Sequence, residues 1–279
     1  MPNSLSFKTK QLEQMLLAVA GALLMLAVFG PDIAQPSHQH AFADARRWFS
    51  VPNAMDVLSN IAFAAGGVAG LCSVYSLLQR VRVTAEHALA ALFFAGLVCT
   101  AAASTWYHLR PDDAGLGVDR LGMVLAFAGL LGLAVAGHIS HRAGATTAGA
   151  VLLLGPLSIW VWLASGNVLP WLVIQFGGMG LILLMATWPR LSGALAVRWD
   201  VVIAVYAFAK LFEAADHEVY ALTAEMVSGH SLKHLVASLA AWPVLAAIRS
   251  ATAVAFEHSF APLKKPGRIQ SANIDTTAM

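Results

Sequence analysis

Along the chain, long apolar runs alternate with short polar breaks. The runs fall near residues 12–30, 57–79, 86–108, 119–139, 146–164, 168–188, 199–215 and 230–249. A membrane span needs about 20 mostly apolar residues, so the pattern predicts about eight spanning helices. Pro, Gly and charge gather in the breaks: Gly30-Pro31-Asp32, Arg80-Val81-Arg82, Arg110-Pro111-Asp112-Asp113, 138–142, Gly166-Asn167 and Pro189-Arg190. The run 199–215 is the least regular. It carries Asp200, Lys210 and Glu213, which are costly in lipid unless they face the bundle interior. Lys8 and Lys10 precede the first run, as in a signal peptide, but Pro31 directly follows Gly30 and spoils a cleavage pattern. An uncleaved first helix is therefore expected.

Composition supports this reading. Of 279 residues, 58% are hydrophobic and 11% charged, against roughly 25% charged in soluble domains. Lipid can absorb that apolar surface. The net charge of +2, with no basic stripe interleaved with aromatics, excludes nucleic acid as a partner. Cys72 and Cys99 each sit in an apolar run and read as small core residues. The resulting fold class is an all-α membrane protein. Its divisions are an N-terminal helix and loop (1–56), a helical bundle (57–250) and a polar tail (251–279), with the last fifteen or so residues expected to be disordered.

Eight spans put both termini on one side. That side collects Lys8, Lys10, Arg80, Arg82, Arg142, Arg190, Arg198, Arg249, Lys264, Lys265 and Arg268, 11 of the 17 basic residues. The positive-inside rule makes it cytoplasmic.

Three polar clusters then fall at the other face. Ser104 and His108 close the third span, four residues apart on one helix face. Asp119 opens the fourth span. His230 and His234, one turn apart, open the last. Three histidines at one depth can hold a tetrahedral zinc and leave a fourth position for water, whose pKa falls to about 7. Asp119 could orient that water and take its proton, and Ser104 could hydrogen-bond the oxyanion that develops on an amide carbonyl. Each residue taken alone has a plainer reading. His108 could be interfacial, the histidine pair a proton relay or haem ligand, Ser104 a packing residue and Asp119 a helix N-terminal charge.

The ordered set Ser104-x-x-x-His108, Asp119, His230-x-x-x-His234 resembles the pattern of the seven-helix membrane hydrolase superfamily, which includes alkaline ceramidases and the progestin and adiponectin receptors. Asp56-Val57-Leu58-Ser59-Asn60, Tyr107-His108-Leu109-Arg110-Pro111-Asp112, Asp119-Arg120-Leu121-Gly122-Met123 and Ser228-Gly229-His230 through Lys233-His234 are similar to the bacterial branch of the ceramidases. The likeness covers about 42–249, so the first helix is an addition to a seven-helix core. It implies His108, His230 and His234 as zinc ligands, Asp119 as acid/base and Ser104 as oxyanion donor. Asp56, Asn60, Tyr107 and Lys233 are accessory positions. The implied reaction is hydrolysis of the amide of ceramide, or of another N-acyl lipid, to an amine and a fatty acid. The implied location is a bacterial inner membrane with the zinc site toward the non-cytoplasmic face. In the ceramidases an acidic calcium-binding stretch precedes the first core helix. Here Arg46, Arg47 and Asn53 accompany Asp44 and Asp56, which weighs against calcium. Gly122 also stands where a proline is usual. The alternative is a non-enzymatic receptor- or channel-like protein whose metal is structural.

Lys210, Glu213 and Asp216 recur along one helix face and read as an interior ion-pair cluster. Gln175, mid-span, is expected to hydrogen-bond another helix. His138 and His141 read as loop residues; His38 and His40, on the zinc side, read as exposed loop histidines, with accessory metal residues as the alternative.

Overall fold

A computed structural model describes residues 2–260. Among them the chain is all-helical, with only isolated two-residue bridges between extended segments. The expectation of disorder, made for the last fifteen or so residues, lies outside the described residues.

Helix α1 (Pro2–Phe29) is followed by a long irregular segment, then by a short α2 (Ala54–Ser59) and α3 (Ile61–Leu78). Next come α4 (Ala85–Leu109), α5 (Asp113–His138) and α6 (His141–Ser165). A short α7 (Leu169–Leu172) runs through one π-helical turn, Val173–Gly177, into α8 (Gly178–Ala186). The chain closes with α9 (Trp199–Ala214), α10 (Asp216–Leu222), α11 (Gly229–Ser238) and α12 (Ala241–Phe260).

Seven stretches are long and apolar enough to cross a membrane: Phe7–Phe29, Ala54–Leu78, Ala85–Leu109, Asp113–His138, His141–Ser165, Leu169–Ala186 and Gly229–Phe256. The eighth expected run is α9, with 16 residues and a length of about 24 Å. It crosses the bundle all the same. Trp199 at its start lies beside His138 at the end of α5. Glu213 at its other end meets Lys233 of α11. Its charged residues sit at its two ends, where the cost of burying them is lowest.

The ring of helices is built on α5, the most buried span. Small residues let its neighbours come close, as membrane packing favours. A β-carbon on Gly96 of α4 would stand 2.2 Å from the backbone nitrogen of Ala126, and one on Gly129 of α5 would stand 2.2 Å from that of Phe93. Helices α3, α4, α5, α7, α8, α9 and α11 surround a cavity. Helix α1 lies outside, touching α7 and the π turn and tied by Ser140 Oγ donating to Glu13 at 2.7 Å.

Two expectations need correction. Cys72 and Cys99 are free and exposed on the outer surface rather than in the core, because α3 packs through Phe63, Gly67, Gly70, Val74 and Leu77 and α4 through Phe93, Phe94, Leu97 and Thr100, on the faces away from them. His138 is not a loop residue. It is the buried last residue of α5, with Nδ1 at 2.8 Å from the Ala134 carbonyl, and His141 begins α6.

Candidate metal centre

At one end of the bundle the three histidines converge. His108 is the penultimate residue of α4, while His230 and His234 stand one turn apart at the start of α11. Their ring centroids form a near-equilateral triangle, with His108–His230 at 4.9 Å, His108–His234 at 5.1 Å and His230–His234 at 4.9 Å. One nitrogen from each lies within 4.8 Å of the others. All three residues are buried.

The start of α11 is fixed from several directions. Ser228 caps it by accepting from Ser231 N–H at 3.0 Å. Ser231 Oγ in turn donates to Asp56 Oδ1 at 2.6 Å. The backbone N–H of His230 donates to Asp216 Oδ1 at 2.7 Å, and the same carboxylate takes Ala43 N–H at 3.0 Å. Asp216 therefore joins the histidine helix to the loop above it.

Ser59 orients His234. Its hydroxyl donates to the Asp56 carbonyl at 2.8 Å and lies 2.8 Å from His234 Nδ1. With its own proton so used, Ser59 accepts from Nδ1–H, which leaves the Nε2 lone pair for a ligand. Asn53 sits in the left-handed region (φ 44°), which asparagine tolerates, and donates from Nδ2 to the His108 carbonyl at 2.9 Å. That bond satisfies one of the orphan carbonyls at the end of α4.

His108 supplies the test of whether a metal fits. Both of its ring nitrogens are buried without a hydrogen-bond partner. A neutral imidazole left in that state loses the solvation of a donor and an acceptor, at about 1–3 kcal/mol each. A metal ion among the three rings would relieve the acceptor. The donor set is compatible with one. His230 Nε2 lies 3.0 Å from Lys233 Nζ. Loading through that nitrogen requires Lys233 to leave it, and Glu213, at 3.2 Å, is in place to keep the ammonium paired.

Ser104 and Asp119 line the same cavity as His230 and His234, and Ser104 hydrogen-bonds Asp119. The cavity measures about 650 Å³. From the histidines it reaches Phe93, Leu130 and Met179. Phe93 is fifteen residues from His108 along α4, which corresponds to about 22 Å. Every predicted site residue is thus at one end of the bundle. Tyr107 lines the cavity as well. Its hydroxyl lies 2.9 Å from His40 Nδ1 and donates to the Gln39 carbonyl at 3.3 Å. Asp56 and Asn60 brace the site without joining the triangle, since the Asn60 amide donates to the Asp56 carbonyl at 2.9 Å.

The loop 30–53 forms a roof that no periodicity or motif in the chain announces. The Phe42 ring lies 4.6 Å from the His108 ring and 4.7 Å from that of His230. His40, read as a plain loop histidine, bridges Tyr107 and Asp113, 3.1 Å from the latter. Asp44 is spent on Arg46, which donates from Nε at 2.8 Å and Nη2 at 2.6 Å. Burial pushes the Asp44 pKa up, but the hydrogen bonds and charge of Arg46 outweigh it and hold it below the usual value. The expected cluster on α9 divides in two. Lys210 and Glu213 pair, while Asp216 serves the His230 backbone. Gln175, in the π turn, faces Tyr206 of α9.

Fold and site define a multi-pass helical membrane protein with a buried three-histidine cluster at one end. Compared with models of known protein families and with curated proteins, the chain matches none.

Proposed function

We propose that the protein is a zinc-dependent intramembrane amide hydrolase of the ceramidase kind, cleaving ceramide or a related N-acyl lipid. The observation that carries this reading is the partnerless, buried His108 clustered with His230 and His234, with Ser104 and Asp119 on the wall of the cavity that His230 and His234 line. Zinc–imidazole bonds of about 2.0–2.1 Å in a tetrahedron set nitrogens about 3.4 Å apart. From separations within 4.8 Å, the three nitrogens therefore need to close by at most about 1.4 Å, which side-chain rotations supply. Zinc held there would polarise a carbonyl and acidify water.

The rest of the chemistry belongs to side chains. The apolar cavity takes the acyl chain and sets the amide beside the histidines. Ser104 turns its hydroxyl from Asp119 to the carbonyl oxygen as negative charge grows on it. Asp119 accepts a proton from the attacking water and returns it to the amine nitrogen as the C–N bond breaks. Amide and water become a carboxylate and an ammonium, with no other reactant. Arg80, Arg82, Arg142, Arg190 and Arg198 are distributed at the end away from the histidines, which supports a non-cytoplasmic site.

The test is zinc content together with fatty-acid release from a panel of N-acyl lipids by purified protein. About one zinc per chain, with release lost in His234→Ala, is the expected result. Zinc without release from any N-acyl lipid overturns the hydrolase and leaves a structural metal.

A further inference from the structure

The buried guanidinium of Arg120 has no task in the reaction just described. It stands next to Asp119 on α5 and is 6% exposed. Its guanidinium carbon lies 4.2 Å from the Trp162 ring centre and 5.5 Å from that of Trp171. Nη2 donates to Gln35 Oε1 at 2.7 Å, and Nη1 is buried with no hydrogen-bond partner. Among the described residues no carboxylate pairs with it within 4.0 Å. Gln35 is held by its own bond to Gln39 at 2.6 Å, so it offers a neutral acceptor and no charge.

A permanently charged group buried in a bundle is costly without an anion. Two tryptophan faces offset part of that cost, yet one arm of the fork stays unused. That arm belongs to a residue lining the cavity that holds Ser104, Asp119, His230 and His234. A planar guanidinium with free N–H groups matches a carboxylate.

We propose that Arg120 anchors a carboxylate carried on the amine side of the substrate, so that this site takes acidic N-acyl lipids of the N-acyl amino acid class in preference to neutral ones. The word substrate rests on the hydrolase reading, whereas the anion anchor does not. The layout assigns the amine side. Leu130, which lines the deep end of the cavity, is ten residues along α5 from Arg120, or about 15 Å. The Arg120 guanidinium meets Gln35 of the loop 30–53, so it stands at the roof end of the cavity with the acyl chain below it. The carboxylate of a fatty-acid product would lie at the histidines instead.

Binding to the full chain in detergent, both zinc-loaded and metal-stripped, tests this. The ligands are N-dodecanoylglycine, neutral N-dodecanoylethanolamine and dodecanoate. N-dodecanoylglycine is expected to bind about ten- to a hundredfold more tightly than the neutral amide, as a charge-assisted hydrogen-bonded pair allows. Arg120→Gln should erase that ratio, and Arg120→Lys should keep part of it. Equal binding of the two amides, no binding of N-dodecanoylglycine, or a ratio that survives Arg120→Gln overturns the proposal. Dodecanoate showing the same Arg120 dependence overturns the amine-side assignment. Should Arg120→Gln not fold, the wild-type ratio and Arg120→Lys still decide. A preserved ratio with no ligand cleaved refutes the hydrolase and leaves the anchor standing.

Discussion

Each histidine of the triangle depends on a second residue. His234 leans on Ser59, and removing such an orienting partner typically weakens metal affinity roughly 10–100-fold. Ser59→Ala should do so in a zinc-competition titration while the protein stays folded. His108→Gln should abolish stoichiometric zinc, because its two neighbours offer only two nitrogens. Under the hydrolase reading Asp119 acts differently. Asp119→Asn should retain zinc but slow fatty-acid release by roughly a hundred- to ten-thousandfold, the usual contribution of a positioned acid/base. Unchanged release from Asp119→Asn would remove that residue from the reaction. Asp44 has a different, structural role, visible in its pH dependence. Its folded pKa lies below the ordinary value of 3.8, so its pairing with Arg46 stabilises the fold above that pH. The contribution is lost as pH falls through the lower folded value. The melting-temperature gap between wild type and Arg46→Gln should stay constant from pH 7 to 5 and close in stronger acid.

Among the elements, α5 carries the greatest demand on shape. Its glycines are seams where α4 lies against its backbone, and the space for a β-carbon is already filled at Gly129. Gly129→Ala should lower stability by about 1–3 kcal/mol, the usual cost of overpacking, read as the unfolding midpoint in detergent. Gly180→Ala, where nothing lies within 4 Å of the added carbon, should show no loss. Helix α9 carries a different constraint. It is short and charged, and it crosses the bundle with its polar residues at the two ends. Lys210 and Glu213 therefore meet the cavity mouth and not lipid.

Over the whole molecule, the cavity joins the polar end to the apolar middle. Met179 of α8 lies along its deep part. Under the hydrolase reading, Met179→Trp should shift preference toward shorter acyl chains and leave zinc content unchanged. Competition between long- and short-chain amides measures that shift. The roof supplied by 30–53 closes the opposite end, with Phe42 against two of the histidine rings. Asp216 fastens that roof to α11 through two backbone N–H groups, so loop and histidine cluster hold each other in place.

What the chain determined by itself was its partition into lipid and the depth of its polar residues. Apolar run length decides the first, because lipid rewards composition whatever the packing. Position within each run decides the second, and it set Ser104, His108, Asp119, His230 and His234 at one end. The i,i+4 pairs were legible for the same reason, since a helix period fixes which residues share a face. The rotation of each helix about its axis was not legible. Neighbouring helices set it, and it turned Cys72 and Cys99 outward and His108 toward its partners. The services of Ser59, Asn53, Asp216 and Phe42 were equally hidden, because each acts across a long separation in sequence. Arg120 shows the division most clearly. The sequence placed a cation beside Asp119, but only the packing of α6 and α7 set two tryptophans around it and left one arm of its fork free.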